Sequence, residues 1–164
     1  MQKISPCLWF NNTAEAAVDF YLSVFKDAKI LRKAYYPEVP PEGRPPWPAA
    51  GTVMTVEFEL FGQNYTALNG GPEFPFNEAI SLMVSCETQE EVDRYWEALT
   101  TDGGKAVQCG WLLDKFGVSW QIIPTVLTDL MTSSNPTVCS RVIQAMLKMI
   151  KLDITTLQQA ATSK

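Results

Sequence analysis

The chemistry open to this chain is bounded first by a missing residue type: its 164 residues include no histidine. That removes the commonest general base near neutral pH and the commonest transition-metal ligand together. The carboxylate best placed to replace them is Glu57. Residues 52–60 alternate, with Met54, Val56, Phe58 and Leu60 on one side and Thr55, Glu57 and Glu59 on the other. Such a period-2 pattern is a strand with one core face. Glu57 is therefore the weak catalytic candidate, a buried carboxylate, against the plainer reading of a solvated strand face. Asn69-Gly70-Gly71 could present backbone N–H groups to an anion, or could be an ordinary turn. Four cysteines, Cys7, Cys86, Cys109 and Cys139, form no C-x-x-C pair, so a zinc knuckle is not expected. Their simplest role is as buried thiols. Cys109, followed by the turn residue Gly110, is the first candidate for a reactive one.

These residues sit in a sequence that repeats itself. Leu60-Phe-Gly-Gln-Asn-Tyr-Thr-Ala-Leu-Asn69 is echoed by Lys115-Phe-Gly-Val-Ser-Trp-Gln-Ile-Ile-Pro124. Tyr65 lines up with Trp120 and Thr66 with Gln121, each copy reading as a turn on glycine followed by a strand. The elements before each copy also match. Residues 4–10 read as a strand, 14–25 as a helix opened by Asn12 or Thr13, 28–36 as a second strand, 52–60 as a third and 65–69 as a fourth. The second set reads as a strand at 79–86, a helix at 88–99 with a Thr88–Glu91 capping box, and strands near 106–108, 111–113 and 119–124. Strand, helix, strand, strand, strand thus occurs twice, at about 1–74 and 77–124. The expected class is α+β, with two βαβββ modules forming curved mixed sheets over 1–124. Residues 125–164 are expected to be a helical extension of the same domain, with Asn135-Pro136 and Asp153 at helix starts.

Residues 37–51 differ in kind. The run Pro37-Glu-Val-Pro-Pro-Glu-Gly-Arg-Pro-Pro-Trp-Pro48 carries six prolines, which cannot donate to a ladder. A loop of this length with one tryptophan, Trp47, reads as a lid, a dimer contact or simple packing.

Charge and hydropathy narrow the partners. A net charge of −5 argues against nucleic acid, whose neutralisation needs clustered Lys and Arg. No apolar run approaches the roughly 20 residues of a membrane span, so no membrane partner is expected. The chain enters a strand pattern directly after Met-Gln-Lys-Ile-Ser-Pro, so a signal peptide is not expected and the cytoplasm is the default location.

The segments Pro6-Cys-Leu-Trp-Phe10, Ala14-Glu-Ala-Ala-Val-Asp-Phe-Tyr21, Phe58-Glu-Leu-Phe-Gly-Gln63, Ala67-Leu-Asn-Gly-Gly-Pro72, Val92-Asp-Arg-Tyr-Trp96, Cys109-Gly-Trp-Leu112 and Ser119-Trp-Gln-Ile-Ile-Pro124 carry a family resemblance. The chain resembles the PhnB-like group, labelled 3-demethylubiquinone-9 3-methyltransferase, of the vicinal oxygen chelate superfamily of glyoxalases, bleomycin-resistance proteins and extradiol dioxygenases. Ala145-Met-Leu-Lys-Met149 and Lys151-Leu-Asp-Ile154 extend the resemblance into the tail. It implies a glyoxalase-like fold, a homodimer, and, in members that do chemistry, a divalent metal on the concave sheet face. The family pattern Asp-x-x-Gly-x-x-x-Glu reads here Asp114-x-x-Gly117-x-x-x-Gln121, and the repeat-related position holds Thr66. Both are neutral, weak ligands for a transition metal. No metal and no other cofactor is expected.

If Thr66 and Gln121 face the cavity, as the resemblance implies, strand alternation puts Asn64, Leu68, Ser119 and Ile123 on that side too, with Glu57 beside them. Tyr65, Trp120 and Ile122 turn the other way, toward the helices. With Asn69, residues Glu57, Asn64, Thr66, Leu68, Ser119 and Gln121 are the ligand-binding candidates. The expected function is binding of a small organic molecule without a metal. The alternative is an enzyme on a small organic substrate: a methyltransferase as the label has it, or a metal-dependent lyase or dioxygenase relative. No Gly-rich nucleotide loop follows the first strand to support the methyltransferase label.

Overall fold

The computed structural model describes residues 3–38 and 48–163. Trp47 lies outside the described residues. The chain divides into two compact units, residues 1–75 and 76–164.

The first unit runs β1 (Cys7–Phe10), α1 (Ala14–Val24), β2 (Ala28–Tyr35), β3 (Val53–Leu60) and β4 (Gln63–Asn69). Its sheet has the order β1-β4-β3-β2, with β1 parallel to β4 and the other pairs antiparallel. Val56, Phe58 and Leu60 face the core, as the alternation requires, and α1 covers them with Ala14, Ala17, Val18 and Tyr21. Phe58 stacks between Tyr21 and Tyr65, at ring separations of 6.1 and 5.3 Å. Tyr65 is thus a packing residue, and burial raises the pKa of its hydroxyl. A two-residue turn joins β3 to β4. Phe61 and Gly62 both have positive φ there, the hairpin geometry that suits the twist of the strands. Across the ends of the proline-rich loop, Tyr36 N donates to Thr52 O and Gly51 N to Tyr36 O.

The second unit repeats the order as β5 (Leu82–Cys86), α2 (Gln89–Thr100), β6 (Lys105–Ala106), β7 (Trp111–Leu113) and β8 (Ser119–Pro124), with sheet order β5-β8-β7-β6. Half of the expected capping box forms, with Glu91 N donating to Thr88 Oγ1 at 3.2 Å; the Glu91 carboxylate reaches one residue further back and accepts from Glu87 N at 2.8 Å. Trp120 and Ile122 are buried on the side of α2, with Val92, Tyr95, Trp96 and Leu99. The aligned aromatics Tyr65 and Trp120 therefore both turn toward their own cores, while Phe61 in the first turn stays exposed.

The β7–β8 turn differs from its echo at Phe61-Gly62. It spans Leu113 to Ser119 and is organised by Asp114, which is 3% exposed. Asp114 Oδ1 accepts from Phe116 N at 2.9 Å and Val118 N at 3.0 Å, and Oδ2 from the Trp120 indole N–H at 2.9 Å. Gly117, at φ +86°, donates its N–H to Asp114 O. The first half of the Asp-x-x-Gly pattern is thus an anchored turn, and the indole that Asp114 holds belongs to the strand of Gln121.

The tail folds as α3 (Thr125–Met131), α4 (Pro136–Met146) and α5 (Ile154–Thr162), with Asn135 and Asp153 capping as expected. Leu127, Val142, Leu152 and Leu157 form its own buried cluster. Hydrogen bonds from Thr156 hold the Asp153 carboxyl below its ordinary 3.8, and Lys151 with Gln89 does the same for Asp93. Carboxylates so depressed stabilise the fold above the ordinary value, and that contribution is lost as pH falls through the folded one. Acid titration should therefore free the Thr156 amide, read by hydrogen exchange, as pH drops below 3.8. Unchanged protection there down to acid unfolding would contradict this.

Candidate functional site

In each unit the last strand lies between the first strand and the preceding one, so its outward side chains sit at the middle of a sheet face. Thr66 on β4 is flanked by Cys7 on β1 and Glu57 on β3. Gln121 on β8 is flanked by Met83 on β5 and Trp111 on β7. The two positions are equivalent by topology, but their neighbours differ in chemistry.

The first face is charged and neutralises itself. Arg32 Nη2 meets Glu57 Oε1 at 2.7 Å, and Lys29 Nζ meets Glu59 Oε1 at 2.8 Å. The Glu57 side chain is 33% exposed. The plainer reading of Glu57, a solvated strand-face carboxylate, agrees with this geometry, and the weak candidate of a buried carboxylate poised as a base does not. Register places an arginine directly opposite, and the pair is solvent-screened. The carboxylates raise the pKa of Lys29 and Arg32, keeping both cations charged. Asn64, Thr66 and Leu68 are half-buried on this strand, pairing with Glu59, Glu57 and Thr55.

Asn69 falls on the opposite, core side. It is buried: its Oδ1 accepts from Ala14 N, the first amide of α1, and its Nδ2 donates to Val53 O, both at 2.9 Å. Its backbone carbonyl accepts from the Tyr36 hydroxyl. Neither Asn12 nor Thr13 caps α1 with its side chain; Asn69 does so from 55 residues away. The Gly70 and Gly71 amides both point at Phe10 O, which leaves the turn reading of this stretch rather than an anion nest. Trp9 covers Gly70 so closely that an added Cβ would lie 2.3 Å from the ring. A cavity of about 640 Å³ opens on this core side, with Glu15, Tyr36, Thr52 and Asn69 in its wall.

The second face is mostly apolar. Gln121 Nε2 donates to Ser81 Oγ at 2.8 Å, which orients the amide. Trp111, Leu113 and Ile123 surround it, all half-buried. Ser119, two residues before Gln121 and on the same side, is 2% exposed, and its hydroxyl has no hydrogen-bond partner among the described residues. Such an orphan carries its desolvation penalty uncompensated. Ser119→Ala should therefore raise the stability of the unliganded protein by about 1 kcal/mol, read as an increase in Tm. A decrease would show that the hydroxyl is satisfied.

Among the described residues no three of His, Cys, Asp or Glu converge as a metal cage. The donors at the two central positions are a hydroxyl and an amide already bonded to Ser81, and the nearest carboxylate is held by Arg32. Taken with its own neighbours, neither position offers a donor set that fits a divalent transition metal. Of the thiols, only Cys86 is buried, and burial pushes its pKa up to about 12. Cys7 is exposed, while Cys109 and Cys139 are intermediate, so the expectation of buried thiols holds for one of four. Among the described residues no helix is long and apolar enough to cross a membrane.

Two βαβββ units, each with a parallel first strand beside the last, define the vicinal oxygen chelate fold. The chain belongs to the 3-demethylubiquinone-9 3-methyltransferase family, whose model matches residues 2–123. The match ends at β8, so the expected extension of the resemblance into the tail lies beyond it. Among solved structures, the chain is similar to a PhnB protein from Bacillus cereus. The two share 35% identity over 76% of this chain and 100% of the other, at a TM-score of 0.64. A protein from Pseudomonas aeruginosa, 22% identical over 76% of this chain and 98% of its own, shares the fold at a TM-score of 0.53. No curated protein matches the chain.

Proposed function

We propose that this protein binds a small organic molecule without a metal, on the sheet face around Gln121. The observation that supports it is the neutral, pre-oriented Gln121–Ser81 pair set among Trp111, Leu113 and Ile123. An apolar surface with one or two placed hydrogen-bonding groups is the usual make-up of a ligand site. It selects an apolar, preferably aromatic, body bearing an uncharged group that both donates and accepts, such as a carboxamide. A charged ligand would find no counter-charge from Ser119, Gln121, Trp111 or Met83. Sequestration or sensing fits such a site better than catalysis, because the Ser119 hydroxyl there has no base beside it to activate it.

The test is a thermal-shift panel of neutral aromatic amides, beginning with benzamide, in the presence of a chelator. Members should raise Tm, and Gln121→Ala should abolish the shift. No shift across the panel, or one that requires an added divalent metal, would overturn the reading. The family's description names a methyltransferase. S-adenosylmethionine should fail to bind in calorimetry, since Asn11-Asn12-Thr13, not a Gly-rich loop, follows β1. The homodimer implied by the resemblance belongs to the same proposal. Light scattering should give about twice 18.3 kDa, and a monomer mass would count against it.

A further inference from the structure

The strand bearing Gln121 is held by a part of the chain that lies beyond the family match. Gly110, in the turn between β6 and β7, accepts from Ile122 N with its carbonyl and donates its own N–H to Ile150 O, both at 2.8 Å. Its neighbour Cys109 donates to Met149 O at 2.9 Å. A backbone chain therefore runs from Ile122, next to Gln121, through Gly110 to the tail. The fit leaves no room for adjustment. Gly110 has φ +82°, and a Cβ there would lie 2.9 Å from both Ile122 O and Leu152 Cδ1.

Leu152 is fully buried in the tail's own cluster, and the segment around it is latched on its other side by Gln89 of α2. Gln89 Nε2 donates to Leu152 O at 3.2 Å and to Asp93 Oδ1 at 3.1 Å, while Gln89 Oε1 accepts from Ile154 N at 2.9 Å. Lys151 pairs with Asp93 at 2.5 Å. The tail also reaches the ligand face directly. Ile123, on the Gln121 side of β8, packs against the tail cluster beside Met146 and Met149.

We propose that residues 149–154 are a positioning element for the Gln121 face, latched by Gln89. They fix the β6–β7 turn and β8 in one register, and through Ile123 they wall off one end of the face. The affinity part of this inference rests on the ligand reading above; the structural part does not. Gln89 touches neither Gln121 nor any group proposed to meet the ligand, so it acts only through the latch.

The experiment is amide hydrogen exchange by NMR on the full chain, comparing the natural protein with Gln89→Ala and with Gln89→Glu. Glu keeps the acceptor for Ile154 N but loses both donated bonds. In Gln89→Ala the amides of Cys109, Gly110 and Ile122 should exchange about tenfold faster, with Phe58 in the first unit unchanged. Gln89→Glu should show the same pattern, weaker. Benzamide should bind the Ala variant about tenfold less tightly. Faster exchange confined to α5, with Gly110 and Ile122 as slow as before, would overturn the proposal. So would uniform acceleration through both units, which reports only lost global stability. If benzamide fails to bind the natural protein, the ligand reading falls, and the exchange comparison still decides the brace.

Discussion

Asp114→Ala is expected to lower stability by about 3–5 kcal/mol, a fall in Tm on the order of 10 °C for a chain of this size. The carboxylate is 3% exposed and accepts from two backbone amides and the Trp120 indole. Hydrogen bonds to a charged group are among the stronger ones, and removing the acceptor strands buried donors with no water to replace it. Asp114→Asn keeps one carbonyl acceptor and should cost roughly half as much. Chemical denaturation followed by Trp fluorescence measures both. A loss below about 1 kcal/mol for the Ala variant would mean that the turn forms without its acceptor.

Asn69→Ala is the second large effect, a destabilisation of about 2–3 kcal/mol. The side chain joins the first amide of α1 to the Val53 carbonyl, so its loss uncaps a helix and opens a buried carbonyl in one step. Asn69→Asp separates the two roles. A carboxylate still accepts from Ala14 N and suits the positive end of the helix dipole, but it repels Val53 O. It should fall between the natural protein and the Ala variant in the same denaturation series. If Asn69→Ala instead left stability untouched and abolished ligand binding, Asn69 would be a site residue, and the tie described above would be incidental.

These two residues mark where sequence reading stopped. The repeat was legible because each unit announces itself locally. The alternation of residues 53–60, the Thr88–Glu91 box and the glycine turns at Gly62 and Gly117 need only near neighbours. The helix starts at Asn135 and Asp153 were readable on the same grounds. The sides of the echo strands were also readable, since one inward residue determines the rest. Asn69 as a helix cap was not, because its partner is 55 residues away and the adjacent glycines make a turn look sufficient. Asp114 carried a usable signal, an Asp three residues before a Gly, which marks a side-chain-stabilised turn. For Glu57 the plainer reading, a solvated strand face, was legible, but its partner was not. Its partner Arg32 comes opposite only after an irregularity in the β2–β3 register between Ile30 and Arg32, which no residue pattern displays. The latch of Gln89 on the tail spans 63 and 65 residues and depends on residues 152–154 meeting the start of α2.

The contrast between the two central positions follows from the same registers. Thr66 inherits Glu57 and its arginine, whereas Gln121 inherits Met83 and Trp111. One sequence repeat has thus produced a charged, self-neutralised face and an apolar face with an oriented amide. Metal-free binding belongs to the second face. Its most direct test follows the Gln121 side-chain amide by NMR while benzamide is titrated in, with and without a chelator. That amide should show a saturable shift, the same under both conditions. No shift, or a shift that disappears when the chelator is present, would contradict it.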